Sequence, residues 1–156
     1  MWDKYKPCFG FSALALAVGV LAGLLTRGEM EAFAALNQPP LSPPGWLFPV
    51  VWTVLYLLMG ISMGLIWRQG SGFQRRRGLE LWCLQLGMNF LWTLLFFNLQ
   101  LRLTAFFWLL ALLAAVAWMV SKMERVDRTA AKLQIPYLLW LLFAGYLNFG
   151  VYLLNR

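Results

Sequence analysis

Five long segments with no charge near their centres limit what this chain can become. A hydrocarbon core of roughly 30 Å is crossed by a helix of about 20 apolar residues. Runs of that kind lie at about 8–26, 46–67, 79–99, 103–121 and 133–154. In lipid every backbone group must be satisfied internally, which leaves helices and closed barrels, and these runs do not alternate as barrel strands do. The expected fold is an all-α membrane protein: one domain over residues 1–156, a single bundle of five transmembrane helices. Composition agrees, since 62% hydrophobic against 12% charged residues leaves too little polar surface to cover a water-soluble globule. An odd number of spans without internal repeat argues against paired inverted repeats. The opening "MWDKYKPCFGFSALALAVGVLAGLL" has a basic start, but its apolar run of nearly twenty residues exceeds a signal-peptide core and reads as an uncleaved first span.

The basic residues set an orientation. Lys4, Lys6, Arg68, Arg75, Arg76, Arg77, Lys122, Arg125, Arg128 and Lys132 fall on one side of these spans, and only Arg27, Arg102 and Arg156 on the other. Short cytoplasmic loops collect Lys and Arg, so the N-terminus is expected in the cytoplasm and the C-terminus outside, in a multi-pass protein of a bacterial cell membrane. The net charge of +7 belongs to topology and lipid headgroups, and nucleic acid is not expected as a partner. Cys8 and Cys83 both sit near cytoplasmic ends of spans, which gives no disulfide framework.

The one long connection is residues 27–45, placed outside. It begins "TRGEMEAFAAL", which can hold a short interfacial helix over Met30, Phe33, Ala34 and Leu36, and becomes "NQPPLSPPG". A stiff, donor-poor proline segment can hold one shape over an apolar cavity at low ordering cost, so the loop reads as a pocket lid. Pro49 and Pro136 stand in the first turns of their helices, where the missing N–H is not needed. Small residues repeat at helix-packing spacing in Gly19/Gly23, Gly60/Gly64 and Ala111/Ala115, as close packing within the bundle or as a dimer face.

Several chemistries are disfavoured. The chain has no histidine, and its spans hold no central carboxylate, lysine or arginine; proton-coupled transport, metal sites and acid/base catalysis use such groups. No metal or cofactor is expected. Aromatic and neutral polar stripes are present instead. Gln85, Asn89, Trp92, Thr93 and Phe96 share a helical face, as do Tyr137, Trp140, Ala144 and Asn148, and as do Pro49, Trp52, Tyr56 and Met63. Asn89 and Asn148 suit either interhelical hydrogen bonds or a pocket. Trp46, Trp67, Trp82 and Trp118, near span ends, suit an interfacial belt. Trp52, Trp92 and Trp140 lie deeper and share faces with polar residues, Trp52 and Trp140 about 10 Å apart along the membrane normal by helical rise. Aromatic walls with a few convergent polar groups suit a large flat organic ligand. The end "LNFGVYLLNR" also fits a loose sterol pattern through Leu147, Tyr152 and Arg156.

"PPGWLFPVVWTVLYLLMG", "LQLGMNFLWTLLFF" and "AAKLQIPYLLWLLFAGYLN" occur in this order at the start or middle of spans. In them the chain closely resembles the tryptophan-rich sensory protein/translocator protein family (TspO/MBR) over about residues 33–155. The resemblance implies five transmembrane helices, a frequent homodimer, and binding of porphyrins and other tetrapyrroles, with sterol and benzodiazepine-type ligands in some members. It also implies a pocket below the loop joining the first two spans. Phe33 stands where an aromatic is usual, Pro44 and Trp46 match the loop motif, and Trp52 and Trp140 match two pocket tryptophans. Tyr56, Asn89, Thr93, Phe96, Ala144 and Asn148 fall where the cavity is lined or supported. Some bacterial members are proposed to degrade porphyrin in light and oxygen; on that reading Trp52 and Trp140 take part.

Overall fold

The computed structural model describes residues 1–156 and is helical throughout, without strands. Helix α1 (Lys6–Thr26) passes through a 3-10 turn into the short α2 (Met30–Ala34). Next come α3 (Leu47–Gln69), α4 (Gly72–Thr93), which runs into a π-helical turn at Leu94–Asn98, and α5 (Arg102–Glu124). The last span is built from α6 (Arg128–Leu133) and α7 (Ile135–Leu154). Five rods are thus long and apolar enough to cross a membrane: 6–34, 47–69, 72–98, 102–124 and 128–154.

Two rods begin well before the apolar runs that announced them. Helix α4 starts at Gly72 because Ser71 and Gln74 form a capping box, with Ser71 Oγ accepting from Gln74 N at 3.3 Å and Gln74 Oε1 from Ser71 N at 2.8 Å. Its first turns carry Arg75, Arg76 and Arg77, whose charge hides the helix from a hydropathy reading. Helix α6 starts behind Asp127, whose Oδ1 accepts from Ala130 N at 2.9 Å.

Small residues bring α1 and α3 together. A Cβ added at Gly60 would lie 2.2 Å from the Ser12 Cα, and one at Gly64 2.5 Å from the Cys8 Cα, so the two backbones meet where neither position has a side chain. Gly19 of α1 receives the Tyr56 ring in the same way. Of the small-residue pairs, Gly60/Gly64 therefore works inside the bundle, whereas Gly23 has nothing within 4 Å and Ala111 is exposed. Helix α5 packs between α4 and α7, and α6 lies against α3 and α5. Ser62 Oγ donates to the Ala130 carbonyl at 2.8 Å, and the Gln69 amide donates to the Asp127 carboxylate, fastening α6 to the C-terminal half of α3.

At the opposite end the proline loop is seated on α7. Asn37 N donates to Asn155 Oδ1 and Asn155 Nδ2 donates to the Asn37 carbonyl, both at 2.9 Å. Tyr146 Oη donates to the Pro40 carbonyl at 2.6 Å, and Pro39 rests on Gly150, where an added Cβ would meet the proline ring at 2.7 Å. The loop turns at Leu41, which takes a left-handed φ of 68° and is exposed.

Candidate functional site

The half of the bundle next to the proline loop holds a continuous aromatic cluster with Trp52 at its centre. From the second turn of α3, counting from Leu47, its ring lies 5.7 Å from Tyr56, 6.5 Å from Trp92 of α4, 6.3 Å from Tyr137 and 6.4 Å from Trp140 of α7. The Trp52 and Trp140 planes are nearly perpendicular at 87°, an edge-to-face contact. Trp92 stacks on Phe96 at 5.5 Å, and Phe96 meets Phe33 of α2 at 5.6 Å. The two central tryptophans are closer than the roughly 10 Å that helical rise suggested. The last rod begins at Arg128 rather than near 133, which places Trp140 higher in the bundle.

Polar groups are threaded through the rings. Asn89 Nδ2 donates to Tyr137 Oη at 3.1 Å, and Thr93 Oγ1 returns to the Asn89 carbonyl at 3.2 Å. Trp92 Nε1 donates to Asn148 Oδ1 at 3.1 Å, while Asn148 Nδ2 donates to the Arg102 carbonyl at 2.8 Å, tying α4, α5 and α7 together. Both asparagines thus order the bundle and border the cluster. Two atoms here are buried without a partner, Trp140 Nε1 and Asn89 Oδ1. Ala144, one helical turn beyond Trp140 on α7, is buried.

Of the residues singled out from sequence, the structure gathers Phe33, Trp52, Tyr56, Asn89, Thr93, Phe96, Trp140, Ala144 and Asn148 around this centre. Pro44 and Trp46 stand outside it; Trp46 is 69% exposed at the start of α3. One expectation is overturned. Trp82, read as part of an interfacial belt, is fully buried, with its Nε1 donating to the Met59 carbonyl at 3.1 Å and Phe11 edge-on at 5.4 Å. The early start of α4 carries it well inside the bundle. Trp67 and Trp118 do behave as belt residues, exposed and overlain by Arg75 and Arg77.

Three contributors were absent from the sequence-derived site. Tyr137 and Trp92 lay on the right stripes but were not assigned to the pocket. Phe97 escaped because a period of 3.6 residues turns it away from Phe96, whereas the π-helical turn, with Leu99 N bonded to the Leu94 carbonyl at 2.9 Å, leaves both rings against Phe33. Trp140 also forms the wall of a groove of about 430 Å³ between α3 and α7, lined by Val51, Val54, Leu55, Pro136 and Phe143 and open on the side where the helices present apolar residues outward.

Comparison with known proteins places this architecture. The sequence model of the TspO/MBR family matches residues 11–154. The tryptophan-rich protein TspO of Archaeoglobus fulgidus is 38% identical over 141 residues, covering 90% of this chain and 91% of its own length. The translocator protein of Bos taurus is 36% identical over 164 aligned positions, covering 100% of this chain and 94% of its own length. The tryptophan-rich sensory protein of Cereibacter sphaeroides is 36% identical over 126 residues, covering 80% and 77%.

Proposed function

The chain belongs to the TspO/MBR family, and on that premise we propose that it is an integral membrane receptor or carrier for porphyrin-type tetrapyrroles, acting in their sensing, transport or stress-linked regulation. The observation that carries this reading is the cluster around Trp52, in which four further aromatic rings from three helices lie within 6.5 Å of one indole. Such a set of π faces suits a multi-ring planar ligand, and the unpartnered Trp140 Nε1 and Asn89 Oδ1 offer it a donor and an acceptor. The groove beside Trp140 has a volume in the ordinary range for small-molecule sites, about 300–1,000 Å³. Phe33, carried by the segment just before the proline loop, covers the outer edge.

In this reading the protein sits in a bacterial cell membrane with its N-terminus in the cytoplasm, works as a homodimer, and has membrane lipid, with sterol, as a further contact. Titrating protoporphyrin IX into the protein in nanodiscs is expected to quench tryptophan fluorescence saturably. Absence of saturation would point instead to a structural scaffold.

The edge-to-face contact of Trp52 and Trp140 favours a second reading, light- and oxygen-dependent degradation of bound porphyrin in which these indoles take part. Loss of the Soret band under illumination is then faster in the wild type than in the Trp52→Phe, Trp140→Phe variant. Equal loss removes the enzymatic reading.

A further inference from the structure

The end of the bundle opposite the proline loop gathers more cations than its acids can match. Lys6 is paired with Asp3, and Arg76 and Arg77 share Glu80 at 3.1 and 3.4 Å. None of these ion pairs reaches Lys4, Arg68 or Arg75. Two of the three nevertheless converge on one ring, Lys4 Nζ lying 5.7 Å and the Arg68 guanidinium 5.4 Å from the centre of Tyr5. Like charges so placed repel, and an anion between them removes that cost. The third, Arg75, lies 5.9 Å from the Trp67 ring, and its Nε is buried with no hydrogen-bond partner.

Backbone geometry brings these groups to one seam. The Cys8 backbone meets Gly64, so Tyr5, about one turn before Cys8, comes level with Arg68, about one turn after Gly64. The chain then folds back within two residues. Helix α3 ends with Gly70 N bonded to the Ile66 carbonyl at 2.9 Å, and the capping box at Ser71 starts α4 at once. Arg75 N comes within 3.5 Å of the place that a Gly70 Cβ would occupy, and its guanidinium reaches back over Trp67. Trp67 in turn meets Phe11 of α1, with ring centres 5.8 Å apart. Arg68 and Arg75 are thus both laid on rings at the end of the α1–α3 contact. Exposed aromatic residues lie at the same end: Trp2, 64% exposed, stacks on Phe9 at 5.0 Å, and Phe73, 78% exposed, stands in the first turn of α4.

We propose that Lys4, Arg68 and Arg75 form a site for the phosphate of one anionic phospholipid of the phosphatidylglycerol type. The ends of spans lie at the level of the headgroups, and guanidinium and ammonium groups donate charge-assisted hydrogen bonds to phosphate oxygens. Tyr5 and Trp67, both partly exposed, give ring surface to the glycerol region. A zwitterionic headgroup brings its own ammonium among three cations, so phosphatidylcholine fits less well. A soluble phosphate would leave Trp2 and Phe73 in water, whereas acyl chains cover them. Basic residues beside a span attract anionic lipid in general; the convergence of unpaired cations on Tyr5 and the unpartnered Arg75 Nε single out one bound molecule. The site is independent of the tetrapyrrole reading, because none of its residues belongs to the cluster around Trp52.

The full chain, reconstituted in equal amounts of phosphatidylglycerol and phosphatidylcholine and transferred to mild detergent, is weighed by native mass spectrometry. One phosphatidylglycerol is expected to stay bound in preference to phosphatidylcholine. Arg68→Gln, Arg75→Gln should lower its retention about fivefold for each guanidinium removed. Arg125→Gln, Arg128→Gln, which removes the same charge at the same end, should leave it unchanged. Melting temperature in nanodiscs reads the site without detergent. Phosphatidylglycerol should raise it over phosphatidylcholine in the wild type but not in the Arg68→Gln, Arg75→Gln variant, and inorganic phosphate added to phosphatidylcholine nanodiscs should not raise it. Should that variant not fold, Lys4→Gln, Tyr5→Leu carries the same comparison. Retention as in the wild type after Arg68→Gln, Arg75→Gln, or an equal fall in both double variants, overturns the site. Stabilisation by inorganic phosphate equal to that by phosphatidylglycerol overturns the lipid as its occupant.

Discussion

Asn148 holds three helices with one side chain. It accepts from Trp92 Nε1 and donates to the Arg102 carbonyl, in a region where water is not available to replace either bond. Asn148→Leu leaves an indole N–H and a carbonyl unpaired and is expected to cost about 1–2 kcal/mol, measured as the shift in denaturant unfolding in detergent; an unchanged midpoint would show that the two bonds contribute nothing net. At this scale the sequence was informative where residue type and helical phase sufficed. Asn89, Asn148, Trp52 and Trp140 share faces at 3.6-residue spacing, and the structure brings them to one centre. Trp82 and Gln134 were not legible, because phase gives the direction of a side chain but not its depth. Trp82 looked terminal only while the helix was thought to begin near residue 79. Gln134 reads as a polar residue two positions before Pro136, whereas its full burial with both side-chain amide atoms unpaired is a property of its neighbours.

Elements meet where side chains are missing. At Gly60 a single added methyl would be driven 2.2 Å from the α1 backbone at Ser12, so Gly60→Ala must push α1 and α3 apart. A loss of about 1–3 kcal/mol is expected, the usual cost of overpacking, whereas Gly23→Ala, with open space around it, should leave the melting temperature unchanged. A similar fall in both would mean that α1 packs by some other face. The seat of the proline loop makes the same point on a smaller scale. Gly150→Val would collide with Pro39 and lift the loop off α7, so proteolytic nicking between residues 35 and 45 should accelerate while helicity by circular dichroism stays constant; unchanged nicking would contradict the seat. Apolar runs located all five rods, but not the starts of α4 and α6, which are fixed by the caps at Ser71 and Asp127 and pass through charged residues. The π-helical turn had no counterpart in the pattern, since it breaks the periodicity by which helices are read.

For the whole molecule, the two ends of the bundle differ in kind. One carries the arginine-rich turns around Arg68, Arg75, Arg76 and Arg77, with Trp67 and Trp118 under guanidinium groups; the other carries the proline loop tied to the end of α7. In a Cys8→Ser, Cys83→Ser background, Gln38→Cys should react with a membrane-impermeant maleimide in intact cells and Gln74→Cys only after permeabilisation, and the opposite pattern would invert the orientation. From the end that carries the proline loop, the loop and the aromatic cluster follow one another into the bundle. The central claim is that this stack is a binding site organised on Trp52 and Trp140. It is tested most directly by the dissociation constant of protoporphyrin IX in nanodiscs for the wild type and for the Trp52→Phe, Trp140→Phe variant. Aromatic pairs contribute about 0.5–1.5 kcal/mol each beyond the area they bury, so losing both indoles should weaken binding at least tenfold, with the fold retained. A dissociation constant within twofold of the wild type would contradict it.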